Sequence, residues 1–122
     1  MDELIARLVA NVGVDKDAAE KSVGIILDFL VKEGPPDKVQ ALIDKLPGAQ
    51  ALIEAQQASD AGGGMFSMGG LMGAGTKMMG AGLSMGQVQG VTKEVIAFAR
   101  EKAGEDTVGE IVGSIPGLSQ FV

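Results

Sequence analysis

Residues 13–53 read GVDKDAAEKSVGIILDFLVKEGPPDKVQALIDKLPGAQALI, and this stretch decides the fold class. Ala19, Val23, Ile26, Leu27 and Leu30 recur at helical spacing, the pattern of a helix that buries one stripe. Ile25, Phe29 and Val31 widen the stripe, so this helix is expected to be buried over more than half of its girth. Asp15 stands where an N-cap belongs, which starts the helix there and carries it to about Lys32. Gly34-Pro35-Pro36 stops it and starts another, because proline in a first turn lacks only an N–H that would have had no intrahelical partner. Val39, Leu42, Ile43 and Leu46 form the next apolar face, Pro47-Gly48 turns the chain, and Ala49 to Gln57 read as a short helix.

Upstream, Leu4, Ile5, Leu8, Val9 and Val12 predict a short amphipathic helix from Asp2 to Asn11, closed by Gly13. Downstream the composition shifts: between Gly62 and Gly90, 11 of 29 residues are Gly, six are Met, and Lys77 is the only charge. Ser84-Met-Gly-Gln87 has the form of a capping box, in which the Ser hydroxyl accepts from the third amide and Gln reaches back. It predicts a helix from Met85 to about Lys102, with Val88, Val91, Val95, Phe98 and Ala99 inward and Gly104 at its end. Val108, Ile111, Val112 and Ile115 mark one more short helix before Pro116-Gly117.

The two halves align without a gap: residues 13–53 match 82–122 at a constant offset of 69. Identities are few, but Gly13 meets Gly82, Phe29 meets Phe98, Val39 meets Val108 and Pro47-Gly48 meets Pro116-Gly117. Apolar pairs fall in register, Ile26 with Val95, Leu27 with Ile96, Leu42 with Ile111 and Leu46 with Ile115 among them. The same offset sets the first helix opposite residues 70–81, so the Gly/Met tract is expected to be helical over much of Met65–Ala81 despite a penalty of about 1 kcal/mol per Gly relative to Ala. The expected architecture is an all-α helical bundle, a single domain over 1–122. It has two pseudo-repeated units, about 1–57 and 65–122, joined by a linker at about 58–64.

The run quoted at the outset, followed by a Gly/Met-rich stretch and a second helix-and-Pro-Gly unit, resembles a family of small bacterial helical proteins catalogued only as a domain of unknown function. The likeness covers most of the chain and lies in a packing pattern. It implies an all-helical bacterial protein and carries no site residue with it.

Composition excludes more than it assigns. At 122 residues the chain has the size of one domain, and with no Cys and no His it lacks thiol nucleophiles, imidazole bases and zinc-finger ligands. Sixteen acidic against 10 basic residues give a net charge of −6, a field that repels phosphate backbones and anionic headgroups, so nucleic acid is not an expected partner. The opening MDELIARLVANVGVD is acidic at once and breaks its apolar residues with charge, unlike a signal peptide, which together with the missing Cys favours the cytoplasm.

Near-motifs fail on mechanism. Gly70-Leu-Met-Gly-Ala-Gly75-Thr76-Lys77 approaches a P-loop with its last two residues exchanged, and neither the phosphate-reaching Lys nor the Mg²⁺-holding hydroxyl survives that exchange. Residues 80–86 are one too long for G-x-G-x-x-G, and no strand precedes them. Met65, Met68 and Met72 share a helical face that could offer thioethers to Cu(I), but Met is ordinarily an adaptable core filler; no metal and no cofactor are expected. Residues 62–86 have the length of a membrane span but little hydrophobic pull, leaving membrane or apolar-ligand contact as the alternative reading. The carboxylates, Asp28 included, are read as helix-start and solvated-face residues, and no enzyme is expected.

Glycines four apart, Gly69 with Gly73 and Gly82 with Gly86 and Gly90, suggest close helix contacts with Met filling the gaps. A helix over 65–81 carries more large apolar residues than one stripe of a small bundle can hide. Met65, Phe66, Met68, Leu71, Met72, Met78 and Met79 are therefore the expected contact surface of a non-catalytic, self-associating binding or scaffolding protein, most simply a twofold homodimer.

Overall fold

The computed structural model describes residues 2–63, 70–115 and 117–120, with side chains described for 2–58, 73–115 and 117–120. Among these residues the chain is all-α. The helices are α1 (Asp2–Asn11), α2 (Lys16–Glu33), α3 (Pro36–Lys45), α4 (Ala49–Gly63), α5 (Gly70–Gly80), α6 (Met85–Ala103) and α7 (Glu105–Ser114), followed by a 3-10 turn at Leu118–Gln120.

Helices α2 and α6 form the centre. Helix α2 packs against α1, α3, α4, α5 and α6, and every residue from Ser22 to Leu30 is buried. Over that buried stretch polar groups have little access to water and must be satisfied locally. Ser22 Oγ donates to the Ala18 carbonyl at 2.7 Å, and on α6 Thr92 Oγ1 donates to the Val88 carbonyl at 2.8 Å. Asp28 is buried rather than solvated, which corrects the sequence reading. Its Oδ1 accepts from Gln57 Nε2 at 3.1 Å and its Oδ2 meets Lys32 Nζ at 2.9 Å.

The short first helix of each half bridges both long ones: α1 lies on α2 and α6, and α5 lies on α6 and α2. One core results, containing Leu4, Leu8, Leu27, Leu30, Val91, Val95 and Ile96 with no more than 1% exposure each. Each such Leu removed from water contributes about 2 kcal/mol. At the α1–α6 contact, Arg7 makes a two-pronged bond to Glu101 at 2.6 and 3.0 Å. Arg7 and Lys102 also lie 5.5 and 5.3 Å from the centre of the buried Phe98 ring.

Shifting the first half by 69 residues carries α2 onto 85–102 and α3 onto 105–114, within one residue of the bounds of α6 and α7. Phe29 and Phe98 are both buried, at 6% and 2% exposure.

One boundary departs from the sequence reading. Helix α4 continues to Gly63, so residues 58–63, assigned to a linker, are helical; the Gln57–Asp28 bond ties its middle to α2. Asp15 has the extended backbone of an N-cap, but its side chain makes no capping bond. Of the expected helix over Met65–Ala81, α5 covers Gly70–Gly80, and 64–69 lie outside the described residues.

The tightest glycine approach between two helices, at Gly24, was not among those expected. An ideal Cβ on Gly24 would sit 2.9 Å from the Leu52 carbonyl oxygen, so the missing side chain lets α4 seat on α2. Of those expected, Gly90 does sit at a tight contact, its Cβ position 3.3 Å from Val12, whereas Gly82 and Gly86 meet nothing within 4 Å among the described residues.

Candidate functional site

The end of the molecule at the α5–α6 turn gathers what the sequence marked as unusual. Helix α5 closes on Gly82, whose φ of +103° is open to glycine and strained for any larger residue. The Gly82 N–H donates to the Met79 carbonyl at 3.0 Å, and the Leu83 N–H donates to the Met78 carbonyl at 3.3 Å. This paired closure normally brings together the apolar side chains at its two ends. Met78 and Leu83 are accordingly both in the core, at 2% and 4% exposure.

The next helix starts at once. Ser84 Oγ accepts from the Gln87 N–H at 3.3 Å while Gln87 Oε1 accepts from the Ser84 N–H at 2.9 Å, the capping box expected from the sequence. Gln87 Nε2 further donates to the Gly13 carbonyl at 3.4 Å, tying the start of α6 to the end of α1. With Met78 and Leu83 turned inward, the residues on either side of the turn are turned outward. Met79 is 43% exposed and Met85, the first residue of α6, is 56% exposed. Around them Gly80, Gly82 and Gly86 have no neighbour among the described residues within 4 Å of where a Cβ would stand. The surface carries two polarizable thioethers beside the exposed Ser84 and lacks β-carbons at three positions.

Of the expected contact residues, only Met79 is seen to supply such a surface. Met78 is a core residue and is withdrawn from it, because the glycine closure needs an apolar partner for Leu83. Met65, Phe66 and Met68 lie outside the described residues, as do the side chains of Leu71 and Met72 on α5. Met85 was missed, though its signal was present: the residue after a Ser N-cap begins the helix with a turn not yet covered by the bundle.

A second apolar feature lies beside α1. An open depression of 510 Å³ is lined by Asp2, Ile5, Ala6, Val9, Ala10 and Lys16, and Val9 is 42% exposed rather than part of the buried stripe. A smaller one of 230 Å³ runs between α2 and α4, lined by Gly24, Leu52, Ala55 and Gln56 with Asp17, Glu20 and Lys21.

Charged groups with displaced proton affinities sit at helix contacts. The Arg7 hydrogen bond, and then the Arg7 charge, hold the Glu101 carboxyl below its ordinary value, and the same bond raises Arg7. Lys38 is raised by its bond to Glu110, 2.8 Å away across α3 and α7. Each shift is explained by its ion pair. Among the described residues no group of three or more Asp or Glu is placed to hold a metal ion, and no buried side-chain N or O lacks a hydrogen-bond partner.

No protein-family model, curated protein or solved structure matches this chain.

Proposed function

We propose that this chain is a non-catalytic helical protein that self-associates through the α5–α6 corner, most simply as a twofold dimer, and serves as a binding or scaffolding component. One observation carries the reading: Met79 and Met85, 43% and 56% exposed, stand on either side of one turn among glycines whose Cβ positions are open. Flexible thioether side chains beside bare backbone adapt to a partner surface at small steric cost. A twofold axis through the corner would bring each Met pair against its copy. The two halves are read in the same proposal as pseudo-repeated units, supported by the matched bounds of α2 with α6 and α3 with α7. A cytoplasmic location and the likeness to bacterial helical proteins belong to this proposal as well.

The alternative places the same corner on lipid. Among the described residues no helix is long and apolar enough to cross a membrane.

Size exclusion with light scattering on wild type and on the Met79→Glu/Met85→Glu variant separates these. A dimer in wild type and a monomer of unchanged helicity in the variant is the expected result. A wild type that is monomeric at its highest soluble concentration overturns self-association, and co-elution of that monomer with zwitterionic, net-neutral phosphatidylcholine vesicles transfers the corner to lipid.

A further inference from the structure

We propose that Met79 and Met85 form a surface oxidation site, where the folded chain accepts oxygen from a peroxide while the adjacent Met78 is protected by the fold. A methionine sulfur attacks the outer oxygen of the peroxide. The S–O bond forms as the O–O bond breaks, and the remaining oxygen leaves as water or an alcohol after taking up a proton. The sulfur is oxidised by two electrons to the sulfoxide, and the peroxide is the species reduced.

The discrimination is structural. Met78 and Met79 are neighbours in the chain with the same chemistry, yet they are 2% and 43% exposed, and Met85, six residues on, is 56% exposed. Met78 is held by the closure of α5, its carbonyl accepting from Leu83 and its side chain packed in the core. A sulfoxide there would bury a strong acceptor with no donor for it, so oxygen can reach Met78 only through local opening. At Met79 and Met85 the sulfoxide oxygen stays in water. Met85 opens α6, where Ser84 already serves the Gln87 amide and the amides of Met85 and Gly86 have no place in the helical ladder. A polar oxygen at that end does not oppose the helix. Oxidation of the pair therefore leaves the fold standing and makes the corner more polar. The site depends on exposure in the single chain and not on the proposed self-association.

The test is a hydrogen peroxide time course on the full chain, at a dilution where light scattering reads a monomer, with circular dichroism recorded throughout. Cleavage after Lys77 and Lys93 leaves all three residues in one peptide, 78–93, so tandem mass spectrometry must place each oxygen. Met79 and Met85 should gain oxygen on the order of ten times faster than Met78 while helicity is retained. In Met79→Leu/Met85→Leu the early oxygens in this peptide should be lost with Met78 still protected, and in Met78→Leu they should remain. Equal rates at all three residues with helicity intact would overturn the proposal. So would resistance of Met79 and Met85 until helicity is lost, or their shielding because the chain stays assembled at every dilution.

Discussion

Replacing Gly24 by Ala tests the seat of α4 on α2. The added methyl would lie 2.9 Å from the Leu52 carbonyl oxygen and 3.5 Å from Gln56 Cβ. The closest atom is backbone, so it cannot rotate away and the two helices must part by several tenths of an ångström. Overpacking of this kind costs about 2 kcal/mol, while Ala recovers about 1 kcal/mol of helix propensity over Gly, leaving the variant about 1 kcal/mol less stable. Gly109→Ala is the matched control: Gly109 lies inside α7 with nothing within 4 Å of its Cβ position, so only the propensity gain of about 1 kcal/mol remains. Opposite signs for one chemical change isolate the close approach. Urea unfolding followed by circular dichroism reads both midpoints at constant slope, and each Tm should move by about 4 °C, downward for Gly24→Ala and upward for Gly109→Ala. If Gly24→Ala gains stability like Gly109→Ala, α4 does not sit on α2 through this glycine, and the burial of Ser22–Leu30 needs another explanation.

Other variants probe separate contacts. Ser84→Ala should lower stability by about 1 kcal/mol through loss of the capping box, and an unchanged urea midpoint would mean the exposed cap contributes nothing. Asp28→Asn keeps a partner for Gln57 but removes the ion pair to Lys32 from a buried carboxylate. A loss of about 1 kcal/mol is expected, and a gain would show that burying the charge costs more than the pair returns. Glu101 has a folded-state pKa below its unfolded value because Arg7 bonds and faces it, so its contribution is full above the unfolded value and fades as pH falls through the folded one. Glu101→Gln should therefore flatten the acid side of the stability–pH curve, and superimposable acid limbs would show that this half-exposed pair adds no pH dependence.

The helix inventory was legible because each segment carries its own instructions. Leu4, Ile5 and Leu8 mark one apolar face, Gly34-Pro35-Pro36 a stop and a start, Ser84 and Gln87 a reciprocal cap, and these are local effects within a turn or two of the residues that cause them.

What the tertiary structure decided concerns partners distant in the chain. Asp28 reads as a surface carboxylate until α4 crosses α2 and brings Gln57 to it, and the helix needed to do so continues past the point where its apolar pattern ends. Gly24 reads as a mild defect in a helix until Leu52 lies against it. Met78 and Met79 have identical side chains and adjacent positions. Which of them is core and which is surface follows from the handedness of the closure at Gly82, which turns Met78 toward Leu83 and leaves Met79 in water. Periodicity ranks residues by the face they share, whereas burial depends on which neighbour covers that face, and only the packed chain supplies the neighbour.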